Sequence, residues 1–183
     1  MARKSQRGAI LDAAERVITA QGLAHTTLEA VATEAGISKG GLLYHFSSKK
    51  DLLFRLIERH GERLEKLRNE FLSELPDRPG RKLKAYILAR LNELSRRTIS
   101  LSKMVGVLED DDLREFVIGL KNRELQEINK GTRRPELTTV LALAMEGLWM
   151  MDLFKVPVFT PEFREKVVAE LLEMVDRTCQ GKK

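Results

Sequence analysis

Residues 26–46 read TTLEAVATEAGISKGGLLYHF. Its pattern predicts two short helices joined by a tight turn, the second shaped to lie in the major groove of DNA. Thr26 stands three residues ahead of Glu29, the spacing of a capping box, in which the hydroxyl takes an orphan backbone N–H and the carboxylate reaches back. Leu28, Val31, Ala32 and Ala35 recur at helical spacing as one apolar face. Gly36 follows where the chain must turn sharply and a positive φ meets no Cβ clash. Ile37 fills the angle between the helices. Ser38 is expected to cap the second helix, with Leu42, Leu43 and Phe46 as its apolar face. The first turn of that helix, Lys39-Gly40-Gly41, pairs one cation with two residues that each cost up to about 1 kcal/mol in a helix interior relative to alanine. Such a helix is poor but low in profile, and its face can come close to a base-pair edge or a phosphate. The competing reading of the same residues is an ordinary helical hairpin with a loose second helix.

Working outward, residues 7–21 carry Ile10, Leu11, Ala14, Val17 and Ile18 as a single helical stripe ended by Gly22, and this helix is expected to cover the hairpin. The preceding RKSQR is either a basic arm for the phosphate backbone or minor groove, or a solubilising tail. On the other side, Ser48-Lys49-Lys50-Asp51 opens a long helix to about residue 75, with Leu53, Leu56, Ile57, Leu64, Leu67 and Phe71 as its seam. Glu58, Arg59, Glu62, Arg63, Glu65 and Lys66 read as a solvated face with i, i+4 pairs. Lys49 and Lys50 sit at a helix N-terminus, where the dipole disfavours cations by a few tenths of a kcal/mol. An approaching phosphate is the natural reason for them.

The stretches ILDAAERVITAQG (10–22), TTLEAVATEAGISKGGLLYHF (26–46) and SSKKDLLFRLI (47–57) together resemble the tetracycline-repressor (TetR) family of transcriptional regulators. The matching positions are Thr27, Val31-Ala32, Ala35-Gly36-Ile37-Ser38, Gly40, Leu42, His45-Phe46 and Lys49. The resemblance is specific over about a quarter of the chain and architectural over the rest. It implies a homodimer joined through its last two long helices, a helix-turn-helix on DNA, and a phosphate contact from Lys49. One departure is plain: the family's usual phosphate-contacting tyrosine is Leu43 here, and Tyr44 comes one residue later, about 100° further round the helix.

Length and composition bound the rest. The chain has 183 residues, 43% of them hydrophobic but only 5% aromatic, which favours helices. Residues 1–68 hold 12 basic and 8 acidic residues, and residues 69–183 hold 20 and 19, so the positive excess lies with the expected DNA-binding end. The single cysteine, Cys179, cannot form an internal disulfide and reads as a plain helix residue. The basic N-terminus runs into charged ILDAAERV and is not expected to be a signal peptide. The apolar run 140–151 contains Glu146 and falls short of the ~20 residues that span a bilayer. A cytoplasmic protein is expected.

PDRPG at 76–80 is the clearest break. Helices are expected at about 81–97, 98–108, up to about 130 after the acidic 109–112, at 135–154 and at 161–179. The acidic cluster lacks the ligand spacing of a calcium loop and reads as a helix N-terminus. The 135–154 helix is apolar around most of its circumference, and the last helix carries more than one narrow stripe. A domain of this size has little to cover them, so one face of each is expected to meet a second subunit.

The expectation is therefore an all-α chain of about nine helices. Residues 1–50 form a helix-turn-helix DNA-binding domain, and 51–183 a ligand-binding and dimerisation domain entered through the long helix. The DNA-binding residues are Thr27, Ser38, Lys39, Gly40, Gly41, Tyr44, His45 and Lys49. Lys39 is the base reader, since lysine can bond guanine O6 and N7. Thr27, Tyr44, His45 and Lys49 fix the register on phosphates; His45 either touches phosphate or packs beneath it. Met104, Met145, Glu146 and Trp149 are the candidate ligand-binding residues, soft side chains around one carboxylate. As written, they serve equally as core, and Glu146 could face a cationic ligand, pair with an arginine such as Arg90, or lie exposed. No catalytic constellation, metal site or cofactor is expected. The partners are a palindromic DNA operator, a second copy of the chain and a small-molecule effector, with ligand releasing a repressor. A helical scaffold whose hairpin binds protein is the alternative.

Overall fold

The computed structural model describes residues 5–95, 109–154, 156 and 158–179, and every regular element among them is a helix. There are eight: α1 (Gln6–Gln21), α2 (Leu28–Ala35), α3 (Lys39–His45), α4 (Lys49–Glu74), α5 (Arg81–Ser95), α6 (Asp111–Asn129), α7 (Pro135–Leu153) and α8 (Pro161–Cys179). The short helix expected at 98–108, with Met104, lies outside the described residues. The chain divides into two units. Among described residues the first takes in 5–61 and 109–119, and the second 62–95 and 120–179, so α4 and α6 each contribute to both.

In the first unit, α1 packs on α2 and α2 on α3. Ile10, Ala13, Ala14 and Ile18 of α1 meet Val31, Ala32, Leu42, Phe46, Leu52 and Leu56 in one core, which Leu113 of α6 also joins. The helix starts are punctuated by hydroxyls, each worth about 1 kcal/mol. Ser5 Oγ accepts from Gly8 N–H at 3.2 Å, Thr27 Oγ1 from Ala30 N–H at 3.1 Å, Ser38 Oγ from Gly41 N–H at 3.0 Å and Ser48 Oγ from Asp51 N–H at 3.0 Å. Gly36 ends α2 in the left-handed region at φ 69°.

Several expectations are corrected. The cap of α2 is Thr27, one residue later than the Thr26–Glu29 box requires. Thr26 is buried, and its hydroxyl donates to Gly22 O at 2.8 Å, closing the loop after α1. The helix expected from Arg7 begins at Gln6, so the last two residues of RKSQR lie in α1, and the Arg7 guanidinium is 5.1 Å from the Phe46 ring centroid. Arg59 is not on a solvated face: it pairs with Asp12 at 2.9 Å and with Glu15, tying α4 to α1. Leu43 does not share the buried face of Leu42 and Phe46.

In the second unit α5, α7 and α8 pack on one another. Leu83, Tyr86 and Ile87 of α5 are buried with Leu141, Met145, Leu148 and Trp149 of α7 and Leu171 and Val175 of α8. Ion pairs clip the helices together: Lys84 with Asp176 at 2.6 Å, and Arg164 with Asp152 at 2.5 Å.

Candidate nucleic-acid interface and a buried charge cluster

The outward surface of α3 is built by elimination. Leu42 and Phe46 are wholly buried and anchor the helix, so the residues that cannot follow them inward are displayed. Ser38, Lys39, Gly40, Leu43 and Tyr44 are all exposed, Tyr44 most of all at 87%. Lys39 and Leu43 are one turn apart, as are Gly40 and Tyr44, so the four share one face. His45 is half-buried, its ring edge-on to Tyr44 at 5.2 Å. Thr27 and Ser38 accept backbone N–H groups on their hydroxyl oxygens, and the Thr27 hydroxyl also donates to the Glu29 carboxylate.

The glycines are informative. A Cβ added at Gly40 would meet only Ser38 Oγ, at 3.9 Å, and Gly40 is not among the residues with positive φ. Neither crowding nor backbone geometry inside the chain calls for glycine there. At Gly41 the nearest atom would be Ser38 Oγ at 3.4 Å, ordinary contact.

The cations around this face are held by acceptors of the chain itself. Lys39 pairs with Glu29, whose carboxyl the lysine's hydrogen bond holds below its usual value. Lys49 Nζ donates to Leu23 O at 3.0 Å. Lys50 pairs with Asp110 at 3.0 Å and with Asp112, and hydrogen bonds to these two carboxylates raise the lysine's pKa. Asp110 in turn accepts from the N–H groups of Asp112 and Leu113, both at 3.1 Å, and so caps α6, at whose N-terminus the acidic cluster was expected. These internal acceptors supply a reason for cations at the start of α4 that needs no phosphate. The sequence reading missed them because each partner is 26 or more residues away.

The ligand candidates behave differently. Met145 and Trp149 are buried core residues of the second unit. Of the three fates considered for Glu146, the structure shows pairing with Arg90. Arg90 is only 3% exposed; its Nε lies 2.7 Å from Glu146 Oε1 as a close ion pair rather than an aligned hydrogen bond. Its Nη1 donates to Glu93 at 3.1 Å. Its guanidinium lies 5.1 Å from the Trp149 ring centroid and 5.6 Å from that of Tyr86. Tyr86 donates its hydroxyl to Glu146 Oε1, and Lys121 Nζ donates to Glu146 Oε2 at 3.2 Å. Glu124 accepts from Lys121 at 3.1 Å and from Arg68 at 3.0 Å. Cation–π contact and charge pairing thus act on one guanidinium.

Burial acts to raise the Glu146 carboxyl, but Arg90 and Lys121 overcome it and hold the group below its ordinary 4.5. Burial pushes the Tyr86 hydroxyl up, Arg90 opposing and Glu146 and Glu124 adding to it, so Tyr86 stays a donor. Because the folded value of Glu146 is depressed, the stability it contributes is present above 4.5 and is lost as pH falls through the folded value. Glu146→Gln should therefore flatten the acid branch of the second unit's stability. Urea unfolding followed by the fluorescence of Trp149, the chain's one tryptophan, from about pH 7 to about pH 3 measures this. An unchanged slope would remove Glu146 from the linkage.

An all-helical chain with a capped helix-turn-helix and a displayed second helix defines the class: a helix-turn-helix protein. Residues 10–56 match the model of bacterial regulatory proteins of the tetR family, and residues 80–176 that of the tetracyclin repressor-like C-terminal domain. The chain belongs to the tetR family of bacterial regulatory proteins. It is 33% identical over 85 residues to the HTH-type transcriptional regulator AcrR of Shigella flexneri, a match covering 43% of this chain. The chain spans less than half the length of the curated relatives it matches, 40% in the case of AcrR. Its fold is shared with a transcriptional regulator of Rhodococcus sp. Rha1 (TM-score 0.73, 20% identity, 98% of this chain and 100% of that one). It is shared also with the multidrug binding protein EbrR complexed with malachite green (TM-score 0.71, 20% identity, 92% and 98%). No helix among the described residues is long and apolar enough to cross a membrane.

Proposed function

We propose that the protein is a homodimeric, DNA-binding transcriptional repressor of the cytoplasm, not an enzyme, released from a palindromic operator by a small-molecule ligand. The observation that carries the reading is the displayed face of α3, where Lys39, Leu43 and Tyr44 surround a glycine at 40 that the chain itself does not require. Two such helices, ~34–36 Å apart in a dimer, enter successive major grooves on one side of the duplex. Lys39 exchanges Glu29 for a guanine edge, and Gly40 and Gly41 let the backbone come close. Thr27, Ser38, Tyr44, His45 and Lys49 set the register on phosphates, residues 1–50 forming the DNA-binding domain and 51–183 the regulatory one.

Dimerisation is supported by α7 and α8. Val140, Leu143, Met150, Met151 and Phe154 form an exposed stripe along α7, and Val140 and Leu143 are each 58% exposed. Phe163 and Met174 of α8 are exposed as well. Apolar surface of this kind is covered in a dimer. For the effector site we place Met145, Glu146 and Trp149, with Arg90 as their internal occupant; a ligand there competes with Arg90 for Glu146 and the Trp149 face. The EbrR complex supports a small molecule within this fold. Ligand releases DNA only if it binds the state unable to hold the operator more tightly.

The test is selection of genomic fragments by the purified protein, then footprinting at two salt concentrations. A palindromic site of ~15–20 base pairs bound with a steep salt dependence is expected. Only weak, sequence-blind binding, with and without candidate ligands, would overturn the reading. On the selected site, Lys39→Ala should weaken specific binding more than non-specific binding, whereas Lys49→Ala should weaken both. Equal loss in both variants would remove this division of roles.

A further inference from the structure

We propose that Leu43 reads the 5-methyl group of a thymine in each operator half-site. The inference rests on the reading that α3 enters the major groove of DNA, and it adds the base contact that Lys39 cannot make.

Leu43 is the anomaly of the helix. Leu42, its neighbour, and Phe46 fill the core completely, and both are wholly buried. Leu43 turns away from them and is 39% exposed, one turn from Lys39 and one turn from the exposed Ser47. Lys39 and Ser47, the exposed residues one turn to either side, are polar and do not account for an isobutyl group displayed between them. It carries no donor or acceptor, so phosphate oxygens, sugar oxygens and the polar base edges offer it no hydrogen bond. The one apolar group that base pairs present in the major groove is the thymine methyl.

The same surface argues for nucleic acid as the occupant. Lys39 lies one turn from Leu43, and the segment around them carries the chain's positive excess, 12 basic against 8 acidic residues over 1–68. Gly40, near Leu43, has no Cβ to hold the backbone off, and one added there would meet only Ser38 Oγ, at 3.9 Å. A short leucine reaches the floor of a groove only if the backbone beside it comes close, and the glycine permits that approach. Lys39 then supplies the hydrogen-bonding half of the readout and Leu43 the apolar half.

The experiment uses the full chain and its selected operator. Each thymine is replaced in turn by deoxyuridine, which deletes the methyl group and leaves every hydrogen-bonding atom in place. Wild-type protein should lose affinity about fourfold at one position in each half-site, the transfer value of a single methyl group. Leu43→Ala, an exposed substitution whose fold is checked by thermal unfolding, should bind the unmodified operator about fourfold more weakly and ignore the uracil at that position. Operator binding with no methyl-sensitive position would overturn the proposal and leave the DNA-binding reading standing. A sensitive position that remains sensitive in Leu43→Ala would also overturn it and assign the methyl to Tyr44. Failure to bind any operator, together with capture of a protein by the α3 face, would overturn both readings.

Discussion

Replacing Arg90 by alanine should lower the stability of the second unit by about 3–5 kcal/mol, the usual cost of removing one partner from a buried ion pair. The size follows from what is left behind. Glu146 loses the cation 2.7 Å away, Glu93 loses its bond at 3.1 Å, and Trp149 and Tyr86 lose the guanidinium between them. Lys121 and Arg68 still reach Glu146 and Glu124, but from the half-exposed side. Arg90→Lys should recover part of the loss, since the charge remains while the planar fork does not. The double variant Arg90→Met/Glu146→Leu should be much less damaged than Arg90→Ala, because no uncompensated charge then remains at the pair. Urea denaturation read by Trp149 fluorescence gives each value. A loss below about 1 kcal/mol for Arg90→Ala would mean that water reaches and satisfies the carboxylates, as at an exposed pair.

Gly40→Ala should move fold stability and operator affinity in opposite directions. The added methyl meets nothing closer than 3.9 Å inside the chain and the backbone there is not left-handed, so the fold should gain up to about 1 kcal/mol in helix propensity. The same methyl should cost about 1–3 kcal/mol of operator binding, the range for forcing a group into a close-packed contact. Thermal unfolding of the first unit and titration with the selected operator separate the two effects. A stabilised protein that binds its operator unchanged would place DNA elsewhere than against α3. This sign reversal distinguishes a functional glycine from a structural one: at Gly36, with φ 69°, alanine should destabilise the fold through strain.

How much was legible depended on the sequence distance between partners. Ser38, Gly36 and the stripes of α1 and α2 act within four residues, and their pattern appears directly in the text of the chain. The α2 cap was displaced by one residue because Thr26 and Thr27 are chemically alike, and only the loop after α1, which buries Thr26 against Gly22, selects between them. The outward side of Leu43 is not legible, because hydrophobicity at a helical position cannot say which side of a seven-residue helix the core occupies. The fates of Glu146 and Arg59 depend on partners 56 and 47 residues away, at Arg90 and Asp12. Charge alone on a helix face does not reveal such partners.

The class of fold, the helix-turn-helix and its family are all legible in the order of residues along the chain. These follow from short-range periodicity, capping chemistry and a run of motif residues in fixed register. Tertiary structure decided which of the cations around α3 are already engaged, which face of α3 is displayed and what satisfies the carboxylate in the middle of α7. The physical reason is that electrostatics and burial are set by distance in space. Residues far apart in the chain acquire that distance only when the helices pack.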